Sequence, residues 1–447
     1  MNNAKRIVIL VDHRNRDLML AALLAHHLQA RGIECFLEPL EAYHAVLAAY
    51  APDLIVFNHI NSSHLVRYSQ RLAQLNVLTA VLPNEGIIYD EASIRYNSGR
   101  YHKEAHIDYY FCWNEKHQAG LREHRLGQGA TKIEVCGVPR FDFYFKPWSR
   151  LFPRTQNPAR PVLLVCTNLA FARFAEIPES DADKFFAPFK DRIPQYRNYR
   201  EAIQVHARER ERLLQFLEAL LANQAYDIVL RPHPRETTGF YEAWLDRLPG
   251  PQRQRIRLDT QSNITELILN SDLELSCETC TTALEAWIAG KPTIELVFEK
   301  HPLFYHPEIA RLNVCCEQPD QLLALVEQQL KTPAQPQLAE ARIQHLAKWC
   351  HRPDGNASLA IANLLAEAVL HKPEVRREFT FNEYRKGIKL KLLRTVNLPY
   401  NFDPVLKLKF ALFPGRYATK DFVYKKTLRP SDGAEADRDI TASLRLQ

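Results

Sequence analysis

The sequence lacks the features of membrane-spanning and secreted proteins. The 447-residue chain has no run of 18 or more apolar residues, so no segment is long enough to cross a bilayer as a helix. The apolar run at 7–11 is too short for the core of a signal peptide. Its nine cysteines, an odd number at irregular spacings, indicate free thiols rather than a disulfide framework. We therefore predict a cytoplasmic protein.

Signatures of metal and cofactor sites are also missing. Cys277 and Cys280 form a CxxC motif, but no second pair of ligands accompanies it at zinc spacing. The acidic pair Asp181 and Asp183 lies away from every predicted strand end, where it would not chelate a diphosphate through a metal. The loop after Cys166 has no glycine-rich phosphate cradle. The sequence thus predicts neither a metal nor a cofactor, and no nucleic-acid partner, because the domains lack a basic face interleaved with aromatic residues.

Short apolar segments alternate with helical patterns along most of the chain. Residues 17–31, for example, have a helical pattern. Apolar residues make up 46% of the chain and charged residues 25%, which is typical of a globular protein, and the length suits two domains. The predicted strands are 7–11, 33–37, 53–57, 75–82, 109–113, 133–136, 161–166, 226–231, 256–258, 273–276 and 293–297. This alternation indicates parallel sheets with helices on both faces. We predict an α/β fold of two Rossmann-like, doubly wound domains facing each other across a cleft.

Proline spacing suggests where the domains meet. Residues 146–160 are polar and interrupted by prolines, which is typical of a linker. The predicted organisation is a first domain at 1–145, a second at 161–371 and a basic tail at 372–447. Because ligands of doubly wound sheets bind beyond the carboxyl ends of the strands, the chemistry is expected in the cleft.

The tail contains an uneven share of the basic residues. The net charge is only +6, yet lysines alternate with leucines and phenylalanines within 384–426. Basic amphipathic segments of this kind bind anionic membrane surfaces. They also pack on their own protein through their apolar residues. Both alternatives remain open from the sequence.

An Arg-Pro-His-Pro motif follows the predicted strand 226–231. The two prolines make the position of His233 rigid, and Arg231 adds a permanent positive charge. A cationic or proton-donating group at a strand end stabilises the charge that develops on a leaving phosphate. The alternative is a structural histidine in a proline turn, with Arg231 in a surface ion pair.

Two further strand ends of the second domain offer phosphate contacts. Thr281 and Thr282 start the helix after strand 273–276, where hydroxyl and free N–H groups bind phosphate oxygens. Glu285 lies one turn later; the alternative reading of Thr282 and Glu285 is a capping box. At the end of strand 161–166, Thr167 and Asn168 are the corresponding hydrogen-bond donors.

The first domain offers a carboxylate at a strand end. Glu85 follows the predicted strand 75–82, where it can deprotonate an acceptor hydroxyl. The alternative is a turn with a solvent-facing glutamate before Gly86. The other residues predicted near the cleft are Asp12, Arg16, Asp17 and Asn84. Asp17 equally suits a negative charge at a helix N-terminus.

Seven motifs in a consistent order carry a family resemblance over residues 5–370. They are Arg16-Asp17-Leu18, Asn-Glu-Gly at 84–86, the Gly-Val-Pro-Arg run within 135–142, Cys-Thr-Asn at 166–168, Arg-Pro-His-Pro at 231–234, the Thr-Thr-Ala-Leu-Glu run at 281–286, and Asp354-Gly355. The chain resembles bacterial surface-carbohydrate (capsule and lipopolysaccharide) glycosyltransferases of the GT-B type. Kdo transferases, polysialyltransferases and CDP-glycerol glycerophosphotransferases are related to these.

The resemblance implies a metal-independent glycosyltransferase on the cytoplasmic face of the inner membrane. It would move a sugar from a nucleotide-activated donor to a growing polysaccharide or a lipid-linked glycan. A CMP-linked donor such as CMP-Kdo or a nonulosonate is the first choice, and UDP and CDP donors remain open, as does inverting against retaining chemistry. By resemblance, Glu85 is the acceptor base, His233 contacts the donor phosphate, and Glu285 binds the nucleotide ribose.

Two other functions fit the same sequence. An enzyme resembling UDP-N-acetylglucosamine 2-epimerase shares the two-domain architecture, and it would need acidic groups and a histidine around C2 of the sugar. A non-catalytic, membrane-associated component of a polysaccharide assembly complex would lack nucleotide binding. Interconversion of free nucleotide sugar identifies the first, and absence of nucleotide binding identifies the second.

Overall fold

The chain divides into two units, each built around one parallel sheet. The structure, a computed structural model, describes residues 4–84, 86–87, 91–99, 104–154, 159–193, 196–278, 280–332, 336–373, 375–412 and 427–445. The first unit comprises Met1–Leu151 and Lys348–Gln447, and the second comprises Phe152–Ala347. Each contains a six-stranded sheet. The predicted fold class of two Rossmann-like, doubly wound domains is confirmed.

The first sheet has the strand order β2-β1-β3-β4-β5-β6, and all its neighbouring strands are parallel. Its strands are β1 (Arg6–Val11), β2 (Glu34–Pro39), β3 (Leu54–Phe57), β4 (Leu78–Val81), β5 (Tyr109–Cys112) and β6 (Lys132–Val135). The helices between them are α1 (Arg14–Gln29), α2 (Val46–Tyr50), α3 (Ser63–Gln74), α4 (Glu91–Gly99) and α5 (Glu115–Glu123). The 3-10 helices are Leu40–Ala42, Leu126–Gly129, Pro139–Tyr144 and Trp148–Leu151. Every residue of β3 is buried, because helices cover both faces of the sheet.

The second sheet has the strand order β12-β11-β10-β7-β8-β9, again parallel throughout. Its strands are β7 (Val162–Cys166), β8 (Asp227–Arg231), β9 (Ile256–Leu258), β10 (Leu273–Cys277), β11 (Thr293–Leu296) and β12 (Val314–Cys316). The winding direction reverses between β7 and β10, as in the dinucleotide-binding fold. Ligands of such sheets bind outside the carboxyl ends of the strands at this reversal.

Helices flank the second sheet on both faces. They are α6 (Glu179–Phe186), α7 (Tyr199–Ala222), α8 (Gly239–Leu245), α9 (Gly250–Arg253), α10 (Ile264–Asn270), α11 (Thr282–Ile288), α12 (Pro307–Ala310), α13 (Pro319–Lys331) and α14 (Pro336–Cys350), with a 3-10 helix at Ala172–Glu176. The longest, α7, buries apolar residues such as Leu213 and Leu217 against the sheet. These helices fix the loops at the strand ends.

The chain returns to the first unit after Ala347, which differs from the predicted second domain at 161–371. The returning helices are α15 (Ala357–Leu370), α16 (Phe381–Thr395), α17 (Leu406–Leu412) and α18 (Pro430–Arg445). At the start of α15, the buried Asp142 carboxylate accepts hydrogen bonds from the backbone N–H groups of Ala357 (3.1 Å) and Ser358 (2.7 Å). The last helices of the Rossmann series therefore complete the first unit.

Helix α16, the first helix of the basic tail, packs on the first unit through one of its faces. A Cβ at Gly387 of α16 would lie 2.9 Å from the backbone nitrogen of Ala49, so a glycine allows the close approach to α2. Arg377 donates a hydrogen bond to Asp53 (3.2 Å) just before α16 begins. Of the two alternatives for the tail, packing on the protein is thus observed for the inner side of α16, whereas residues 413–426 of the predicted basic segment lie outside the described residues. No helix in the described part of the chain combines the length and apolar content needed to span a membrane.

Candidate functional site

Three strand ends of the second unit meet at the reversal of its sheet. The backbone N–H of Thr167, after β7, donates to the carbonyl of Arg231 at the end of β8 (3.1 Å). The side-chain amide of Asn168 donates to the carbonyl of Glu278 after β10 (3.3 Å). The sequence-predicted residues 167, 168, 231 and 233 therefore lie together at one edge of the sheet, where the fold class binds ligands.

Glu236 connects the loops after β7 and β8. One carboxylate oxygen accepts from the Thr167 hydroxyl (2.5 Å), the Leu169 N–H (2.9 Å) and the His233 N–H (3.2 Å). The other accepts from the buried Tyr241 hydroxyl (2.5 Å). The Thr167 hydroxyl has one proton and gives it to Glu236, so its predicted contact with a phosphate as a donor would require this bond to break. Glu236 was not among the residues predicted from the sequence.

His233 is partly buried, and its ring is oriented by the backbone. Its Nδ1 accepts a hydrogen bond from the N–H of Arg235 (3.1 Å), so the neutral ring carries its proton on Nε2. Burial lowers the pKa of His233 to about 4, and the positive charges of Arg235, Arg173 and Arg231 act in the same direction. At neutral pH the free protein therefore presents a neutral Nε2–H donor surrounded by guanidinium groups.

The guanidinium groups around His233 differ in whether an acidic side chain lies close to them. Arg231 donates to the carbonyl of Asp259 (2.9 Å) and lies 3.7 Å from its carboxylate. Arg173 and Arg235 form no ion pair within the described ranges of the chain. The Nε of Arg173 is buried without a hydrogen-bond partner, and burial, followed by the charge of Arg235, lowers the pKa of Arg173. An uncompensated positive charge at a strand end favours an anionic ligand. Arg173 was also missed by the sequence analysis.

The start of α11 does not have the capping box that was the alternative interpretation of Thr282 and Glu285. Thr281 is the N-cap residue, but its side chain makes no capping hydrogen bond. The Thr282 hydroxyl donates instead to the buried carboxyl of Glu274 within β10 (2.7 Å). Glu285 is buried, with 2% of its surface exposed. The predicted contacts of Thr281, Thr282 and Glu285 with a nucleotide stay predictions.

A buried carboxyl pair lies beside the same strand end. Glu209 and His206 lie one turn apart on α7, and Glu278 follows β10 with a left-handed φ of 55°. One ligand atom from each of the three residues lies within 4.8 Å of the others. Burial raises the pKa of Glu209, and burial together with the charge of Glu209 raises the pKa of Glu278. Two carboxylates this close and this buried need a shared proton or a cation between them.

His206 completes this cluster as a neutral group. Its Nδ1 accepts a hydrogen bond from the N–H of Phe171 (3.2 Å), and burial lowers its pKa to about 3. Its Nε2 and both oxygens of Glu209 are buried without a hydrogen-bond partner among the described residues. A divalent cation would find its ligands here, whereas the sequence analysis predicted no metal. The spacing of His206 and Glu209 on one helix was the available signal, but Glu278 is distant in sequence.

In the first unit, the structure brings together the four described residues predicted at the cleft. Asp17 is buried; it accepts from the side-chain amide of Asn84 (3.0 Å) and forms an ion pair with Arg16 (2.6 Å). Arg16 also lies 3.3 Å from Asp12. Asp17 lies in the first turn of α1, as its alternative reading expected. Glu85, the predicted acceptor base, lies outside the described residues.

An arginine of the Gly-Val-Pro-Arg run supports the loop after β4. Arg140 donates to the carbonyl of Asn84 (3.0 Å), and its guanidinium lies 4.8 Å from the centre of the Trp113 ring. A Cβ at Gly86 would lie 2.6 Å from the same ring, so only glycine fits this position without a shift of Trp113. Arg140 of this run thus has a structural role in the first unit.

Comparisons with known proteins give no family assignment. No protein-family model matches the chain, and no curated protein does. A putative UDP-N-acetylglucosamine 2-epimerase from Listeria monocytogenes is 11% identical, with 85% of this chain and 100% of that chain covered and a TM-score of 0.48. The wall teichoic acid polymerase TagF is 12% identical over 83% and 90%, also with a TM-score of 0.48. Anabaena HepE in complex with UDP-glucose is 12% identical over 82% and 100%, with a TM-score of 0.42. At TM-scores below 0.5, these similarities identify neither a family nor an activity.

Proposed function

We propose that the chain is a glycosyltransferase that binds a nucleotide-activated sugar at the carboxyl ends of β7, β8 and β10. The observation that carries the proposal is the group formed by His233, Arg173 and Arg235. These side chains provide an Nε2–H donor and two cations that form no ion pair with any described residue, near the reversal of a Rossmann-type sheet. The negatively charged phosphate of a sugar donor supplies the charge that this site lacks.

The same group suits the chemistry of sugar transfer. When the bond between the sugar and its phosphate breaks, negative charge develops on the leaving phosphate. Arg173 and Arg235 stabilise that charge, and the Nε2–H of His233 donates a hydrogen bond to it. The hydrogen bond from Nε2–H becomes stronger as negative charge accumulates on the phosphate, which assists the leaving group. The protein's own cations thus serve the role that a metal ion has in other transferases.

The finer features of the proposal rest on the sequence resemblance. The donor is CMP-linked in our first choice, with UDP and CDP donors as alternatives. The acceptor is a growing surface polysaccharide or a lipid-linked glycan, and Glu85 deprotonates its hydroxyl. Glu285 binds the ribose, with Thr281 and Asn168 beside the phosphate. The transfer needs no metal.

A second candidate is an enzyme resembling UDP-N-acetylglucosamine 2-epimerase. The cluster of His206, Glu209 and Glu278 favours it, because such an enzyme needs acidic groups and a histidine near the sugar. The epimerase would use this buried cluster for catalysis, whereas the proposed transferase uses the more exposed His233. Incubation with UDP-N-acetylglucosamine alone separates the two candidates. An epimerase converts the free sugar nucleotide without an acceptor.

Nucleotide binding in the presence of EDTA tests the proposal. Calorimetry with CMP, CDP, UDP and GDP is expected to find one that binds the wild type. His233→Ala should weaken that binding by about tenfold or more, roughly 1.4 kcal/mol, whereas His233→Gln keeps a donor and should lose less. Arg247→Ala is the matched control, because Arg247 is an exposed arginine of the same unit. Failure of all four nucleotides to bind would refute the proposal and favour a non-catalytic component of an assembly complex.

A further inference from the structure

Helix α16 carries a row of large apolar side chains on the face turned away from the protein. These residues are between 50% and 84% exposed and recur every three or four positions, the last of them directly after the helix: Phe381, Tyr384, Ile388, Leu392 and Val396. Positions at this spacing lie on one side of an α-helix. We refer to these five residues as the α16 face.

The opposite side of α16 is firmly attached to the first unit, so the exposure of the α16 face does not come from a frayed helix. Leu390 is buried in the core cluster around the first sheet. Glu383 forms a capping box with Thr380 and an ion pair with Arg71 (3.1 Å). Arg394 pairs with the buried Glu38 near the other end. The α16 face is therefore presented in a fixed orientation.

Basic side chains border the α16 face on both sides. At 100° per residue, Lys389 and Lys391 fall on opposite flanks of the row, and Arg385 lies within it. All three are exposed, and the Lys389 ammonium also lies 4.8 Å from the centre of the Tyr400 ring. Glu383, the acidic residue of this helix, points to the inner side. The exposed side of α16 thus combines apolar and positive groups without a negative one.

The next helix, α17, also has exposed apolar residues at and beside it. Val405, just before α17, and Leu408 and Leu412 within it are about half exposed or more. Single exposed apolar residues are ordinary, but a contiguous row marks a surface that another body covers. The chemical composition of the α16 face indicates which kind of partner covers it.

We propose that the α16 face lies on an anionic membrane surface, with the helix parallel to the bilayer. Helices of this type insert their apolar side chains about 5–10 Å into the boundary between headgroups and acyl chains, while lysines contact anionic lipids. Charge complementarity favours lipid over a second copy of this chain, because a symmetric pair would bring Arg385, Lys389 and Lys391 towards their own counterparts. The inference does not depend on the identity of the sugar donor.

Flotation of the full-length protein with vesicles tests this proposal. One set of vesicles contains phosphatidylcholine alone, and the other contains phosphatidylglycerol as well. The wild type is expected to bind the anionic vesicles, and Ile388→Ser combined with Leu392→Ser should weaken binding by tenfold or more. Lys389→Gln combined with Lys391→Gln should weaken it too, and should reduce its sensitivity to salt. Ile343→Ser is the matched control, because Ile343 is 67% exposed on α14 of the other unit, and binding should not change.

Thermal unfolding and nucleotide binding show whether a variant loses vesicle binding because its surface has changed or because it has misfolded. The Ile388→Ser, Leu392→Ser variant should unfold at the wild-type temperature and bind nucleotide as the wild type does, so a loss of vesicle binding is attributable to the surface alone. Absence of vesicle binding by the wild type, or equal binding by the variant, would overturn the proposal. A dimer in light scattering that this variant dissociates would overturn it in favour of a second copy as the occupant.

Discussion

Thr167 donates a hydrogen bond of 2.5 Å to Glu236, and this contact joins the loop after β7 to the loop after β8. The same carboxylate oxygen receives the N–H of His233 (3.2 Å), so the backbone of the candidate catalytic residue is fixed by an acidic side chain three positions later. Arg-Pro-His-Pro is rigid partly because of its prolines and partly because of this carboxylate. The position of His233 therefore depends on a residue outside the motif.

The first prediction concerns Glu236. Glu236→Gln removes the negative charge that strengthens the four hydrogen bonds, and its amide must face either N–H donors or the Tyr241 hydroxyl, which would then have to accept. We expect a loss of about 1–3 kcal/mol in the free energy of unfolding, together with weaker nucleotide binding because the His233 loop is released. Urea unfolding and calorimetry measure the two effects. Glu242→Gln, at an exposed position of α8, is the control. Unchanged stability in Glu236→Gln would contradict the role of this carboxylate.

The second prediction follows from the depressed pKa of His233. A bound phosphate offsets the positive charges that help to lower this pKa to about 4, so the pKa rises. The imidazole then takes up a proton at Nδ1, which replaces the hydrogen bond from the Arg235 N–H. Binding enthalpies measured near pH 6 in buffers of different ionisation enthalpy should reveal net proton uptake of up to about one proton per nucleotide. His233→Gln should remove that component while the titration of the nucleotide itself remains. Identical uptake in both proteins would rule out His233 as the titrating group.

The third prediction separates function from stability at Arg173. Its buried Nε has no hydrogen-bond partner in the described chain, and a buried polar group without a partner costs free energy. Arg173→Gln should therefore leave the stability unchanged or raise it by about 1 kcal/mol, while nucleotide binding weakens about tenfold and becomes less sensitive to salt. Calorimetry at two salt concentrations and urea unfolding test both parts. Arg247→Gln should alter neither quantity, and strong destabilisation by Arg173→Gln would show that the arginine is structural.

The fourth prediction concerns the pair formed by Glu209 and Glu278. Because burial raises the pKa of both above the ordinary value of 4.5, the folded state retains a proton that the unfolded chain releases. Stability should then fall as the pH rises above 4.5, by about 1.4 kcal/mol per pH unit for each retained proton until the folded-state pKa is passed. Glu209→Gln keeps the site neutral, so its advantage over the wild type should grow with pH.

Urea unfolding between pH 5 and 9 measures this difference, with Glu211→Gln at an exposed position of the same helix as the control. Parallel pH profiles for Glu209→Gln and the wild type would contradict the shared proton. Unfolding in the presence of Mn²⁺ tests whether a cation can replace that proton. Stabilisation of the wild type that is absent in Glu209→Gln would identify the cluster as a cation site.

The sheets could be predicted from the sequence because buried parallel strands are short and apolar. The prediction at 256–258 coincides with β9, and the one at 273–276 is one residue shorter than β10. The strand β12 was missed, since a three-residue segment with two cysteines carries little apolar pattern. Helix α1 begins at Arg14, ahead of the predicted start at 17, because its polar first turn does not show the apolar period.

The candidate site could be predicted only as far as local motifs reach. A strand that ends in Arg-Pro-His-Pro places His233 at the carboxyl edge of a sheet. Glu236 acts through contacts with another loop, and the charge of Arg173 acts on His233 only in the folded chain. Local periodicity encodes neither relationship. The predicted end of the second domain at residue 371 differs from the observed end at Ala347 for a related reason. The pattern of α15 shows that it is a helix but not which sheet it covers, and Asp142 decides that through Ala357 and Ser358.

The return of the chain to the first unit has a consequence for biosynthesis. Every residue of the second unit, Phe152–Ala347, is translated before α15 emerges from the ribosome. The second unit can therefore finish folding on the nascent chain, although it begins later in the sequence. The first unit cannot form the hydrogen bonds between Asp142 and Ser358 until Ser358 is made. The unit that begins first in the sequence is thus the last for which all residues become available, in contrast to the usual N-terminal-first order.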